Sequence, residues 1–537
     1  MKKSIKVILI VIAVLFLLTK GVEWWLEGTF QKSINGNPDR AYNITYSDFD
    51  LHTFFKGITL DEVKIEPLNR DSGTVILGMV DYATIKGLVW VDLFFSKSLH
   101  IDEIAFVEPI FEITLGKKKT KKSGENSVQS LFKDILTRGD LSNFRIEQGS
   151  ILLKDPSEKG VNGRISNINI EALNLQTDSV QLRHIIPFKM DNLIVQIDSL
   201  EFDLPGDQLF HLGSFRYNLN EKELALNDLS LTFTKDWVKV SQQIGVQKDL
   251  VELRLKTLQI KKLEPSSSFF SQLDVIADKV IIDELEIAFR KNKNFERPPD
   301  SFKPMFRGLI NSVPIEMNVD SILIKNSAIT YSELGVKKSN SGSIDITDVN
   351  ASIYGVTNMP KYQVQVGNAV MKAEAQLVGQ TKLTTVLTIP YDEDAFTMTV
   401  NTTDMELVKL NSTTKPLAGV EILSGQLKKI DYTIQAYETT ATNSLIFDYQ
   451  NLDLSIVSEK SDKKEKKKVV LTALANAAIH HDNMPDDEKY LTANYQTERN
   501  IYRSPIVFII KSLTEGVTYI APGKNVQKIL HKKKKKK

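Results

Sequence analysis

Three Asp-Glu pairs, Asp61-Glu62, Asp102-Glu103 and Asp283-Glu284, and one histidine pair, His480-His481, are the side chains of this sequence best suited to chemistry. Paired carboxylates can divide the work of general acid and general base, and histidines can ligate zinc. Neither arrangement is specific here. The carboxylate pairs recur with one hydrophobic spacing, which a catalytic motif would not do. Adjacent histidines cannot point the same way from a regular helix or strand, and the sequence has no H-E-x-x-H spacing. It also has no P-loop, no G-x-S-x-G and no dinucleotide fingerprint. With no cysteine there is no thiolate ligand, no cysteine nucleophile and no disulfide framework. The residues are therefore read as non-catalytic, with no cofactor and no metal site.

The spacing around those pairs describes what positions them. Two apolar residues alternate with polar ones, a polar pair intervenes, and two more alternating apolar residues follow. The pattern is Ile58, Leu60, Val63, Ile65; Leu99, Ile101, Ile104, Phe106; Val195, Ile197, Leu200, Phe202; and Leu224, Leu226, Leu229, Leu231. It continues as Leu253, Leu255, Leu258, Ile260; Val280, Ile282, Leu285, Ile287; and Met317, Val319, Ile322, Ile324. Period two on each side of the pair predicts half-buried β-strands. The pair itself reverses parity, so an unbroken strand would turn the second apolar pair to the wrong face. A two-residue hairpin or a bulge would keep all four on one face. Asp-Glu is poorly suited to the positive φ values of tight hairpins, which favours the bulge.

Composition adds limits. Lys+Arg 68 against Asp+Glu 67 leaves no global attraction to nucleic acid. Lys2, Lys3 and Lys6 precede the apolar run Val7 to Leu18, with Lys20 and the pair Trp24-Trp25 behind it. No A-x-A-like cleavage site follows, so the first 26 residues read as an uncleaved signal anchor with snorkelling lysine and an aromatic belt; a cleaved signal peptide is the alternative.

Along the chain, a β-rich segment over residues 27–178 contains the basic loop Lys117 to Lys122 and a helix with Val128, Leu131, Phe132, Ile135 and Leu136 on one face. Connecting strands occupy 179–279. A second β-rich module over 280–457 repeats the order of strand, basic loop, helix, strand, turn and strand. Ile282-Asp283-Glu284-Leu285 echoes Ile101-Asp102-Glu103-Ile104 at an offset of 181 (282 − 101), and Ile324 answers Ile146 at 178 (324 − 146). This predicts an internal duplication whose units share a core. Residues 458–537 hold a Lys-rich linker, a small apolar helix over Val469 to Ile479, an amphipathic helix over Pro505 to Ala521 and the tail Lys532 to Lys537. In the second helix Ile506, Ile509, Ile510, Leu513, Val517 and Ile520 are expected to share a face.

These residues resemble the AsmA-like family of Gram-negative envelope proteins. The likeness lies in the N-terminal anchor, the phrase HIDEIAFVEPIFEI at His100 to Ile113, and the strands Ile146 to Leu153 and Ile324 to Tyr331. It extends to Met405 to Tyr432, with Leu407, Leu410, Asn411 and the run Leu417 to Leu427, and covers most of residues 1–456. The resemblance implies a mainly β fold: an elongated, repeat-built antiparallel sheet curved into an apolar groove, with a few short helices, an N-terminal transmembrane helix and a helical C-terminal segment. It implies a bacterial inner-membrane protein with one span, a cytoplasmic N-terminus and a periplasmic bulk, acting in phospholipid transport or outer-membrane homeostasis. Its partners would be membrane phospholipids, the inner membrane, and the outer membrane or an envelope protein at the C-terminus. Groove candidates are then Leu60, Val63, Ile101, Ile104, Phe106, Val195, Ile197, Leu200, Phe202, Leu226, Leu229, Leu231, Leu253, Leu255, Ile282, Leu285, Ile287, Ile322 and Ile324. Membrane-contact candidates are Trp24, Trp25, Ile506, Ile509, Ile510, Leu513, Lys532 and Lys533. The reading from a different class is a non-catalytic scaffold with a closed β-core.

Overall fold

Period-two runs become strands, and the fold is mainly β, with 22 strands in mixed sheet and a few short helices among the described residues. A computed structural model describes residues 20–21, 23–32, 34–36, 42–52, 57–68, 75–87, 99–114, 139–155, 162–176, 189–264, 274–336, 338, 340–456 and 479–522. The basic loop at 117–122, the helix expected at 128–136, the linker, nearly all of the helix expected at 469–479, and Lys532 and Lys533 lie outside them. So do residues 1–19; among the described residues no helix is long and apolar enough to cross a membrane. The chain forms two compact units, residues 1–226 with 265–273, and residues 227–264 with 274–537.

In the first unit the described positions between 20 and 35 are helical (α1). Its strands are β1 (Tyr42–Thr45), β2 (Asp48–His52), β3 (Gly57–Pro67), β4 (Val75–Lys86), β5 (Leu99–Val107), β6 (Ile110–Thr114), β7 (Gly139–Lys154), β8 (Asn162–Leu175), β9 (Asn192–Leu204) and β10 (Gln208–Asn218). β11 (Glu223–Phe233) crosses the division between the units. β1 and β2 lie in line against β3, β4 follows, and β5 and β6 lie in line between β4 and β7. β8, β9 and β10 then pair antiparallel in order.

The second unit contains α2 (Trp237–Ile244), β12 (Asp249–Lys261), β13 (Asp274–Asn292), α3 (Phe306–Asn311), β14 (Glu316–Leu334), β15 (Ser341–Thr357), α4 (Pro360–Val366) and β16 (Asn368–Leu377). β17 (Thr381–Pro390), β18 (Phe396–Thr402), β19 (Met405–Glu406), α5 (Asn411–Ala418), β20 (Val420–Ala436), β21 (Thr440–Ile456), β22 (Ala493–Glu498) and α6 (Pro505–Ile520) complete it. β12 to β18 pair in sequence order, then β20, β21 and β22, with the short β19 on β20. The sheet is not purely antiparallel as expected, because β5 and β6 run parallel to β7, and β13 runs parallel to β14. Long connections before β7 and β14 carry the chain back to the end where it started, which a hairpin cannot do.

The parity problem is solved by a transverse crease. In the first unit Ser47, Glu62, Asp81, Glu108, Gln148, Asn167 and Asp198 fall at the same level on successive strands and are skipped by the register. Glu62, Glu108, Gln148 and Asn167 have φ of 46°, 49°, 54° and 52°. In the second unit Lys256, Glu284, Asn326 and Asp348 form the equivalent level, the last three with φ of 52°, 49° and 50°. On β11 Asp228 has φ 53°. One left-handed residue rotates the strand so that apolar residues on both sides of it share a face. Thus Ile58, Leu60 and Val63 are all buried although Leu60 and Val63 differ in parity.

The strand is therefore interrupted at Glu62, Asp228 and Glu284 by a left-handed residue, and not at Glu62 or Glu284 by the expected one-residue bulge, since the register is the same on both sides of each; the premise about positive φ does not stand either. At Asp102-Glu103 neither residue has positive φ and the register to β7 is the same on both sides. Here the left-handed residue is Gly87, φ 74°, where an added Cβ would lie 2.0 Å from the Asp102 Cγ. The pairs Asp198-Ser199 and Asp320-Ser321 likewise have no residue at positive φ.

Asparagine bridges the crease twice in the same way. The Gln148 amide donates to Asn169 Oδ1 at 3.0 Å, and Asn169 Nδ2 donates to the Asn167 carbonyl at 3.3 Å. The Asn326 amide donates to Asn350 Oδ1 at 3.2 Å, and Asn350 Nδ2 to the Asp348 carbonyl at 3.0 Å. Backbone landmarks thus repeat in the same order in the two units. Gly87, Glu108, Gln148, Asn167 and Asn174 recur as Lys262, Glu284, Asn326, Asp348 and Gly355, all at positive φ, with offsets from 175 (262 − 87) to 181 (355 − 174). Glu284 therefore matches Glu108 at 176 (284 − 108), and the echo of Ile101 in Ile282 is displaced by a few residues from the structural equivalence.

Glu284→Val should cost about 1–2 kcal/mol, because a β-branched side chain resists left-handed backbone, while Glu284→Gly should be neutral or stabilising. Chemical denaturation of the two variants checks this. Gly516 on α6 is a separate case, since an added Cβ would lie 2.3 Å from Tyr495 Oη and 2.7 Å from Leu445 Cδ2. Gly516→Val should destabilise the second unit by about 1–3 kcal/mol, read as a lowered thermal midpoint.

Candidate functional site

Across each crease the apolar residues line up in rows that run from strand to strand. In the first unit one row is Ile146, Ile170, Val195 and Tyr217, and the next is Ile168, Ile197 and Phe215. Beyond the crease come Ile151, Ile165, Leu200 and Leu212, then Leu153, Phe202 and Phe210 with Gly163 between them. The Phe202 and Phe210 rings are 6.1 Å apart. Glycine is required at 163, where a Cβ would lie 2.2 Å from Phe202 Cδ1.

The second unit repeats the arrangement. Ile260, Val280, Ile322 and Ile353 form one row, and Leu258, Ile282, Ile324 and Ala351 the next. Past the crease lie Leu255 and Leu285, then Leu253, Ile287, Ile329 and Ile346, then Val251, Phe289, Tyr331 and Ile344. Intervening positions carry polar partners such as the Arg290 and Glu252 pair at 2.7 Å and the Lys256 and Glu284 pair at 3.1 Å. Burial and the hydrogen bond that Tyr331 donates to Glu333 Oε2, 2.7 Å, raise its phenol above the ordinary tyrosine range.

These rows are only partly covered by the described residues, with Ile168, Leu212, Tyr217, Val280 and Ala351 buried within them. Val195, Ile197, Leu200, Phe202, Leu253, Ile282, Leu285, Ile287, Ile322 and Ile324 are all partly exposed, and neither closed hydrophobic cluster includes them. Leu226, Leu229 and Leu231 on β11 are partly exposed as well, whereas Leu255 is buried. The row neighbours Phe215, Phe289, Tyr331 and Ile346 were not among the residues singled out from the sequence. The signal was present, because they too flank the crease at period two.

The other candidates sit differently. Leu60, Val63, Ile101 and Ile104 belong to a closed core with Phe49, Val80 and Leu141, and Phe106 packs against it, its ring edge-on to Phe144 at 5.9 Å. They are walls of a core and not an open surface. α1 contributes Leu26 and Phe30 to that end of the unit, while Trp24 and Trp25 are exposed. The helix runs past residue 26, where the anchor was expected to end.

The second closed core gathers β16 to β22 with Phe306 of α3, and α6 is one of its layers. Here the expected helix face is corrected. α6 buries Pro505, Phe508, Ser512, Gly516 and Ile520, with Ile509, Leu513 and Val517 flanking, and leaves Ile506 and Ile510 exposed. The small residues decide this. Ser512 and Gly516 let the helix approach closely enough for Tyr495 Oη to donate to the Ser512 carbonyl at 2.7 Å. Ser504 caps the helix start and Pro505 opens its first turn.

The chemistry-bearing side chains are structural or solvent-facing. His481 Nδ1 lies 3.2 Å from Asp453, and the His480 carbonyl accepts from Tyr449 Oη at 3.0 Å. Among the described residues no cluster of three or more His, Asp or Glu could hold a metal ion. No family model matches the chain, and no curated protein is significantly similar to it.

Open and closed positions should respond differently to charge. Leu60→Asp or Ile104→Asp should cost more than about 3 kcal/mol or abolish folding, because each buries a carboxylate in a packed core. Ile197→Asp or Ile324→Asp should cost about 1 kcal/mol, since the side chain already meets water. Thermal unfolding of the four variants checks the ordering.

Proposed function

We propose that the protein holds phospholipid acyl chains against the apolar sheet faces of β7 to β10 and of β12 to β15, and serves lipid transport or envelope maintenance without catalysis. The observation that carries the reading is the set of aligned apolar rows that the described residues leave partly exposed. A water-soluble sheet has no reason to align isoleucine, leucine and phenylalanine over four strands unless something apolar covers them. Each CH₂ removed from water there contributes about 0.8 kcal/mol, so an acyl chain lying across a few rows is held firmly enough to be carried. The rows repeat one chemistry and contain no deep polar trap, which lets a chain slide, while the head group stays in water. The resemblance to AsmA-like proteins supports an inner-membrane anchor formed by the first residues and a periplasmic location for the rest.

The scaffold reading has its own support in the two closed cores. They confine the lipid reading to the rows that neither core includes.

Full-length protein purified in mild detergent should carry phospholipid detectable by mass spectrometry. Ile282→Asp with Ile324→Asp, combined with Ile197→Asp and Phe215→Asp, should remove most of it while the protein stays folded. Lipid-free wild-type protein that also fails to take up a fluorescent phospholipid would favour the scaffold.

A further inference from the structure

One end of the second unit's sheet is marked by the start of β14, the end of β15, the start of β16, the end of β17 and the β20–β21 turn, where paired strands begin and stop. Three segments emerge there. Hydrogen bonds tie them together: Gln363 of α4 donates to Asn311 of α3 at 2.7 Å, Asn358 Nδ2 to the Ile315 carbonyl at 2.8 Å, and the Lys303 amide to the Ile501 carbonyl at 2.9 Å.

Each segment exposes large apolar side chains. α4 presents Val364, 87 % exposed, α6 presents Ile506 and Ile510, 58 % and 56 % exposed, and the α3–β14 connection presents Val313 and Ile315. Each also carries cations and no anion. Residues 303–315 contain Lys303 and Arg307, residues 358–366 contain Lys361, and residues 501–513 contain Arg503 and Lys511. The exposed acids of this end, Glu316, Asp392, Glu393, Glu438 and Glu498, sit on strand ends and turns of the sheet, and Asp300 precedes the first segment, where it pairs with Arg297.

Exposed valine and isoleucine in segments whose own charges are lysine and arginine are the chemistry that inserts shallowly between lipid head groups while the cations meet phosphate. We propose that this end docks on an anionic phospholipid bilayer. The docking surface includes α3 and α4 and only the N-terminal half of α6. It excludes Ile509 and Leu513, which pack inward. Deleting α6 would open the core, so the surface has to be probed by single exposed positions. Docking stands apart from acyl-chain holding, since it needs no lipid on the sheet.

The absence of cysteine allows one label per molecule. Val364→Cys and Ile506→Cys, with Met79→Cys as an exposed control in the first unit, are labelled with an environment-sensitive fluorophore in the full chain held in nanodiscs. Separate phosphatidylglycerol vesicles bearing a lipid-borne quencher are then added. Quenching and a blue shift at 364 and 506, absent at 79, are expected, with weaker response to phosphatidylcholine vesicles. Lys303→Ala and Lys361→Ala should each lower the apparent vesicle affinity roughly fivefold. Labels at 364 and 506 that behave like the one at 79, or respond equally to phosphatidylcholine, would overturn the proposal. Concentration-dependent shielding without vesicles would overturn it too, by assigning the surface to a second copy of the chain. If docking fails while phospholipid still co-purifies, only the docking is lost; the converse removes only the acyl-chain reading.

Discussion

Side-chain alternation is the constraint from which the structure follows. A strand of period two cannot keep one apolar face through an even-numbered polar interruption unless its backbone rotates there. The chain meets this with a left-handed residue at a shared level on successive strands, Glu62, Glu108, Gln148 and Asn167 in one unit and Glu284, Asn326 and Asp348 in the other. Left-handed glutamate and aspartate are costly by about 1 kcal/mol or more each. The cost is offset where Asn169 and Asn350 bond the amides left out of the ladder, and by the apolar rows that alignment makes continuous.

What covers those rows then decides their role. Where α1 or α6 packs over the strands, the rows become closed cores that hold the fold. In β9, β10, β12, β13 and β14 the same pattern meets no described second layer apart from α2 at the end of β13, where Asn292 Nδ2 donates to Ser241 Oγ at 2.8 Å, and the stripes stay partly in water. One sequence motif thus serves two purposes, distinguished by neighbours and not by the motif itself. The pattern recurs, because both units use a parallel pairing followed by a creased antiparallel pair.

Strands and creases were largely legible in the sequence, since parity can be counted. The conformation of the crease was not, because Glu and Asp are disfavoured at positive φ and only the aligned neighbours explain their use. Gly87 took the left-handed position beside Asp102-Glu103, which no reading of that strand alone could reveal. Open and closed rows were indistinguishable too: Val63 and Leu200 occupy the same place in the same pattern. The packed face of α6 was missed because hydrophobic spacing weights isoleucine over Ser512 and Gly516, while close approach to Tyr495 depends on the small residues.

The central claim is that the open rows meet acyl chains. A photo-crosslinking amino acid placed at Phe215 or Phe289 in cells, with Arg216 on the opposite face and Phe49 in the closed core as references, tests it most directly. Phospholipid adducts by mass spectrometry at 215 and 289, and none at 216 or 49, are the predicted result. Absence of lipid adducts at 215 and 289, or equal yields at 216, would contradict the account.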